Sequence, residues 1–96
     1  MTHMRIAVYK VVSGGPEEVA RRAEEGMLPI FRKQPGFIAY EGVGVGNDTI
    51  ISLSTWQSAQ AAEAATRAAS DWVRRNIANM IELQNNYVGD VLFSAR

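Results

Sequence analysis

The chain opens on a mostly apolar run with the composition of a strand, and apolar residues then recur at helical spacing. Met4 to Val12 is rich in β-branched and aromatic residues and ends at a cluster of glycine and proline, which predicts a first strand. From Pro16 to about Gln34 the apolar spacing predicts an amphipathic helix. Because Pro29 lies inside this pattern and lacks an amide proton, we expect a kink or a locally broken turn between Gly26 and Pro29.

The middle of the chain is typical of a hairpin. Pro35-Gly36 ends the helix, and Phe37 to Val45 and Thr49 to Trp56 have strand composition. The segment between them, Gly46-Asn47-Asp48, is a strong turn signal. The two strands are therefore expected to pair antiparallel.

The last third of the chain predicts two consecutive helical pieces and a strand. Ser58 is a typical N-cap for an alanine-rich helix to about Ala69, and Ser70-Asp71 offers a second N-cap. The second piece carries its apolar residues on one stripe, namely Val73, Ile77, Met80 and Ile81. Asn85-Asn86 is expected to end it before a last strand, Tyr87 to Phe93.

The predicted order of elements is β-α-β-β-α-β, an α+β fold of the ferredoxin-like type with a four-stranded antiparallel sheet. Residues 4–94 are expected to form one domain, with both helical layers on one face of the sheet. The strands nevertheless carry apolar residues at both parities. One set is Ile6, Val8, Phe37, Val43, Ile51 and Leu53, and the other is Val11, Ile38 and Ile50. A homodimer formed by sheet-to-sheet packing would cover the second face, and the alternative is a monomer with a partly apolar open face.

Composition excludes much catalytic chemistry. The 96 residues contain no cysteine and a single histidine, His3, so we expect no disulfide, thiolate nucleophile, metal cluster or Ser-His-Asp relay. Ten basic and ten acidic residues give zero net charge, which argues against a nucleic-acid partner. Because no apolar run is long enough for a membrane span or a signal peptide, we expect no membrane partner and a cytoplasmic protein.

One sheet parity is small and polar, which indicates a candidate cavity. Its members are Ala7, Tyr9, Tyr40, Gly42, Ser52, Ser54 and Trp56. The helix that would cover this face is alanine-rich, so a space with converging hydroxyl groups could remain for a ligand. The alternative is that the alanines only allow the helix to pack closely on the sheet.

Three further residues are candidates for the site. Trp56 lies at a junction of strand and helix, where an indole is most often a packing anchor. Arg74 could bind an anionic or enolate oxygen if it turns inward, although an exposed arginine is the usual outcome. Trp72 lies off the apolar stripe and could close a cavity or contact a partner.

Several segments together resemble the antibiotic biosynthesis monooxygenase family, of the dimeric α+β barrel superfamily. They are Pro35-Gly36-Phe37, the Gly-Asn-Asp turn, Thr55-Trp56-Gln57-Ser58 and Val88-Gly89-Asp90-Val91-Leu92-Phe93. The resemblance implies a dimeric barrel. Members of this family include cofactor-independent oxygenases of aromatic polyketides, heme-degrading oxygenases and many proteins whose substrate is unknown.

The heme-degrading signature is absent, since the matching positions hold Ala7, Ala65 and about Arg74. Relative to the polyketide oxygenases, Trp56 and Arg74 match. Three other positions depart from the family's pattern, and they hold Ser52, Gly42 and Ala62. We therefore expect no cofactor.

The resemblance and the residues together suggest a cofactor-free oxygenase acting on a small planar phenol or anthrone-like compound. Arg74 would stabilise the oxyanion, and Trp56 would stack on the substrate or donate its indole N–H. Substrate oxygens would be oriented by the substrate-binding residues Tyr9, Tyr40, Ser52 and Trp72. The alternative is a non-catalytic homodimer that binds a small hydrophobic ligand.

Overall fold

The structure, a computed structural model, describes residues 2–95 and has the βαββαβ order that the sequence predicts. The elements are β1 (His3–Val11), α1 (Gly15–Lys33), β2 (Phe37–Val45), β3 (Thr49–Trp56), α2 (Ala59–Asn76) and β4 (Ile81–Asp90). The strands form one antiparallel sheet in the order β2-β3-β1-β4. The ferredoxin-like α+β class is thereby confirmed.

Helix α1 begins and ends where the glycine and proline signals place it. Gly14, with φ of 84°, lets the chain turn out of β1, and Pro16 occupies the first turn of the helix. The helix then runs without a break through Pro29, so the expected broken turn is not present. Pro29 and Glu25 are both exposed, and water can therefore replace the missing hydrogen-bond donor at the Glu25 carbonyl.

The two helical pieces expected after Ser58 are one continuous helix. The Ser58 hydroxyl accepts a hydrogen bond from the Ala61 amide at 3.1 Å and caps α2. Ser70 and Asp71 lie inside that helix, where Asp71 pairs with Arg74 instead of capping.

The predicted start of the last strand is also wrong. Helix α2 ends at Asn76, and β4 begins at Ile81, six residues before the predicted Tyr87. Three residues of the predicted stripe are buried in the core, but they belong to three different elements. Ile77 caps α2, Met80 lies in the turn that follows, and Ile81 begins β4. The spacing of these residues fits one face of a helix, but the backbone that carries them into the core is not helical.

The core lies between the sheet and the helices as two clusters of buried residues. The first contains Ala7, Tyr9, Val11, Val19, Ile50, Ile77, Met80 and Ile81. The second contains Met27, Phe31, Trp56, Ala62, Ala65 and Ala69. Trp72 and Val73 pack against both clusters, so α2 joins the two halves of the core.

The other face of the sheet carries no helix among residues 2–95. Register pairs Ile6 with Leu53 and Ile51 with both Val8 and Val43, so these aliphatic side chains share the open face as predicted. The prediction for Phe37 is wrong, because this ring packs against the helix-side cluster. An irregularity in the β2–β3 pairing between Phe37 and Ala39 shifts the alternation there.

Within residues 2–95, neither helix is sufficiently long and apolar to cross a lipid bilayer.

Candidate functional site

A cavity of about 410 Å³ lies between the helix-side face of the sheet and the two helices. Its volume falls within the range of small-molecule sites. The sheet residues that line it are Arg5, Tyr9, Tyr40, Gly42, Ile50, Ser52 and Ile81. The cavity therefore lies on the small, polar parity that the sequence identifies.

The floor of the cavity presents hydroxyl groups from three strands. Tyr9 lies on β1, Tyr40 on β2 and Ser52 on β3. Gly42 pairs with Ser52 in the sheet, and a methyl group added to it would contact only the Ile50 side chain, at 3.9 Å. The glycine thus leaves space between the hydroxyl groups instead of filling it.

The walls are apolar and come from both helices. Helix α1 contributes Met27, Leu28 and Phe31, and α2 contributes Trp72 and Val73. Such walls can hold a flat aromatic compound and exclude water from it.

Trp72 closes the space between the two helices because Gly26 has no side chain. A Cβ atom built on Gly26 would lie 2.6 Å from Cζ2 of Trp72 and 2.7 Å from its Nε1. The indole therefore reaches across to α1 only because residue 26 is glycine.

The mouth of the cavity is charged. Glu17, Arg21 and Glu24 line it and are exposed on α1. Arg21 forms ion pairs with Glu18 and Glu25 along the helix surface. A ligand entering from solvent would pass these groups before it reaches the apolar walls.

Arg5 is the residue that sequence reasoning missed. It is only 3% exposed and lines the cavity from β1. Its Nη2 lies 3.5 Å from the Tyr9 hydroxyl, a long hydrogen bond, and its buried Nε has no partner among residues 2–95. Side chains alternate along a strand, so Arg5 lies on the same face of β1 as Ala7 and Tyr9. This alternation is the feature of the sequence that could have identified it.

The surroundings of the Tyr40 phenol shift its pKa. Burial raises its pKa above the ordinary value, and nearby Tyr9 acts in the same direction. A hydrogen bond with Ser52 and the positive charge of Arg5 oppose this rise. Tyr40 is therefore a neutral hydrogen-bond donor at physiological pH.

Trp56, an expected catalytic residue, does not line the cavity. Its side chain is fully buried, and its Nε1 donates to the Ser54 hydroxyl at 2.9 Å. Its ring packs edge-to-face on Phe31 and Phe37, with centroids 5.2 and 5.5 Å apart. Trp56 supports the cavity wall through Phe31, and its indole N–H is already used.

Arg74, the expected oxyanion-binding residue, points away from the cavity. Its side chain is 67% exposed, and its Nη2 donates to Asp71 at 2.6 Å. Consecutive helix residues are about 100° apart, so the residue after inward-facing Val73 turns outward. The structure brings together Tyr9, Tyr40, Ser52 and Trp72, but not Trp56 or Arg74.

A metal site needs several histidine, cysteine, aspartate or glutamate side chains placed together. Among residues 2–95, no three or more histidine, cysteine, aspartate or glutamate side chains are placed to hold a metal ion. The chemistry available to these residues is hydrogen bonding, charge stabilisation by Arg5 and exclusion of water.

The sequence model of the family described as antibiotic biosynthesis monooxygenase matches residues 2–70, from β1 through most of α2. The chain belongs to this family. The match confirms the resemblance seen in the sequence, and it covers every strand that contributes a hydroxyl group to the cavity floor. No curated protein matches the chain significantly in sequence.

Solved structures share the fold of this family member at low sequence identity. SnoaB from Streptomyces nogalater, a cofactor-independent oxygenase, is 15% identical with a TM-score of 0.73, over 99% of this chain and 93% of its own. MupZ from Pseudomonas fluorescens is 14% identical with a TM-score of 0.73, over 91% and 69%. A NIPSNAP-like domain protein from Burkholderia xenovorans is 20% identical with a TM-score of 0.67, over 99% and 90%.

Proposed function

We propose that this protein is a cofactor-independent monooxygenase that oxidises a small planar phenol or anthrone-like compound in the cavity. The observation that carries the proposal is the cavity itself, whose apolar walls stand over a floor of hydroxyl groups. Membership of a monooxygenase family and the shared fold of SnoaB support the reaction type.

In the proposed reaction, the substrate supplies the electrons. A proton leaves the activated carbon of an anthrone to water, and the resulting enolate reacts with dioxygen. One oxygen atom becomes the new carbonyl oxygen, and the other leaves as water with the two hydrogens of the methylene group. The protein holds the ring between Phe31 and Trp72, orients its oxygens through Tyr40 and Ser52, and keeps the encounter dry.

Oxygen uptake with anthrone as substrate tests the proposal. We expect the protein to raise uptake well above the rate in buffer, and Tyr40→Phe to lower kcat/KM by about tenfold, because a hydrogen bond to a developing anion is lost. Tyr87→Phe makes the same chemical change at a residue that is 56% exposed and does not line the cavity, so it should keep the full rate.

Two results would contradict this function. If uptake in the presence of the protein equals that in buffer, there is no oxygenase activity toward this class. If anthrone raises the melting temperature without any uptake, the cavity binds this compound without oxidising it, which favours the ligand-binding alternative.

We also propose that two copies of the chain pair through their open sheet faces. Ile6, Ile51 and Leu53 lie on that face, and Val43 beside them is 42% exposed. An aliphatic face of this kind, uncovered by either helix, favours a symmetric partner. The cavities would then lie on the outer sides of the paired sheets.

A further inference from the structure

We infer that Arg5 is the specificity-determining residue of the cavity and that the ligand it selects carries an anionic oxygen on an aromatic ring. This inference rests on the proposed function for the location of the ligand. It goes further in naming the charge of the ligand and the residue that recognises it.

The first argument is the unmet hydrogen-bonding capacity of Arg5. A guanidinium carries five N–H donors. Among residues 2–95, its only side-chain hydrogen bond is the 3.5 Å contact with Tyr9, and the buried Nε has no partner. Buried polar groups are normally paired, so this guanidinium is left incompletely satisfied by the protein itself.

The second argument is the missing counterion. The ion pairs that the structure describes join other residues, and none includes Arg5. The two carboxylates that line the cavity, Glu17 and Glu24, are exposed at its mouth. Leaving a buried cation unpaired is costly, and an anionic ligand would remove that cost when it binds.

The third argument is the character of the surrounding floor. The hydroxyl groups of Tyr9, Tyr40 and Ser52 can all donate hydrogen bonds, and no carboxylate lies on the floor with them. The space beside Gly42 gives an oxygen room to reach them. One cation and several donors in a water-excluding cavity form a binding site for an oxyanion.

Binding of matched naphthalene probes, followed by isothermal titration calorimetry at neutral pH, tests the inference. 2-Naphthoate and 2-naphthamide have the same shape but differ in charge, and 2,4-dinitro-1-naphthol is a phenolate at this pH. We expect the wild-type protein to bind both anions at least about tenfold more tightly than the amide. We also expect the phenolate to bind more tightly than the carboxylate. The reverse order would keep Arg5 as the residue that selects an anion but would overturn the assignment of the anionic oxygen to the aromatic ring.

Two variants assign the preference to Arg5. Arg5→Met removes the charge and keeps much of the side-chain volume, and it should bind the amide as before while losing the preference for anions. Arg67→Met makes the same change on the exposed side of α2 and should keep the preference. Should Arg5→Met fail to fold, Arg5→Lys must show a reduced preference, because lysine keeps the charge but lacks the planar fork of donors.

The results separate this inference from the proposed function. If the wild-type protein binds the anions and the amide equally well, or if Arg5→Met weakens all probes by the same factor, Arg5 does not select an anion. If no planar aromatic probe binds at all, the cavity is not a ligand site and the proposed function fails with the inference.

Discussion

Tyr40 combines an apolar setting with an ionisable hydroxyl, so its protonation is coupled to folding. The folded protein holds the phenol proton more tightly than the unfolded chain does, because burial raises the pKa above 10.0. The contribution of Tyr40 to the free energy of unfolding is therefore complete below this value and is lost as the pH rises through the folded pKa. We expect urea unfolding to show a steeper loss of stability above pH 10 for the wild-type protein than for Tyr40→Phe.

Tyr87→Phe provides the control for this titration, since Tyr87 pairs with Ile6 and therefore lies on the open face of the sheet, away from Tyr40 and the cavity. It should retain the steep alkaline loss of stability. Parallel stability curves for the wild-type protein and Tyr40→Phe between pH 9 and pH 11 would show that the Tyr40 phenol is not held neutral by the fold.

Individual positions on the sheet were predictable from the alternation of the strands. Tyr9, Tyr40 and Ser52 share one face because side chains alternate along each strand and the register pairs Ala7 with Ser52 and Tyr40 with Ser54. The direction of Arg74 was not predictable, because one residue along a helix turns a side chain by about 100°. Arg5 is the opposite of Arg74. Its position in β1 places it on the cavity face, but a charged residue is ordinarily expected at the surface.

Ser58 and Ser70 test whether α2 is one helix or two. Ser58 caps the helix through its hydroxyl, whereas Ser70 is exposed inside it. We expect Ser58→Ala to lower the free energy of unfolding by about 1 kcal/mol, as the loss of an N-cap does. Ser70→Ala should be neutral or slightly stabilising, because alanine is favoured in a helix interior. Equal destabilisation by both, measured by urea unfolding, would support a second cap at Ser70.

Gly26 tests the contact between the two helices. In an ordinary helix Gly→Ala stabilises by about 1 kcal/mol. Here the new methyl group would lie 2.6 Å from the Trp72 ring, so we expect Gly26→Ala to destabilise by about 1 to 3 kcal/mol. The displaced indole should also change the tryptophan emission.

The matched background for Gly26→Ala is Trp72→Ala, in which the same substitution should become stabilising. A stabilising Gly26→Ala in the wild-type protein would mean that the Trp72 ring moves aside without cost. The double-mutant cycle thus measures how firmly the indole closes the cavity.

Element boundaries were predictable where glycine or proline ends an element and failed where only apolar spacing was available. Gly14, Pro16 and Gly36 flank or open elements close to the predicted limits. Ile77 and Ile81 are four residues apart, which fits a helix, but Ile81 is instead the first residue of β4. Spacing alone does not distinguish a continuing helix from a turn that returns the chain to the same core.

At the scale of the whole molecule, the order of elements determined the architecture, and the sheet then has one covered face and one open face. The covered face holds the cavity, whose apolar walls and buried Arg5 depend on contacts between distant segments. The sequence could assign the lining residues to one face of the sheet. It could not show that the space between them stays empty. The alternation of side chains along the strands predicts the aliphatic residues of the open face. Measuring the oligomeric state is therefore the most direct test of the proposed pairing of two sheets.

Leu53→Lys probes the proposed pairing of two sheets. Leu53 lies on the open face opposite Ile6, so a lysine there would place a charge within the paired surfaces without touching the cavity. We expect sedimentation of the wild-type protein at micromolar concentration to give twice the chain mass of 10.6 kDa, and Leu53→Lys to shift it toward the single chain. Gln60→Lys adds the same charge on exposed α2 and should remain paired. A wild-type protein that sediments as a single chain would overturn the pairing, while the cavity, which is built within one chain, would still be open to the oxygen-uptake and probe-binding tests.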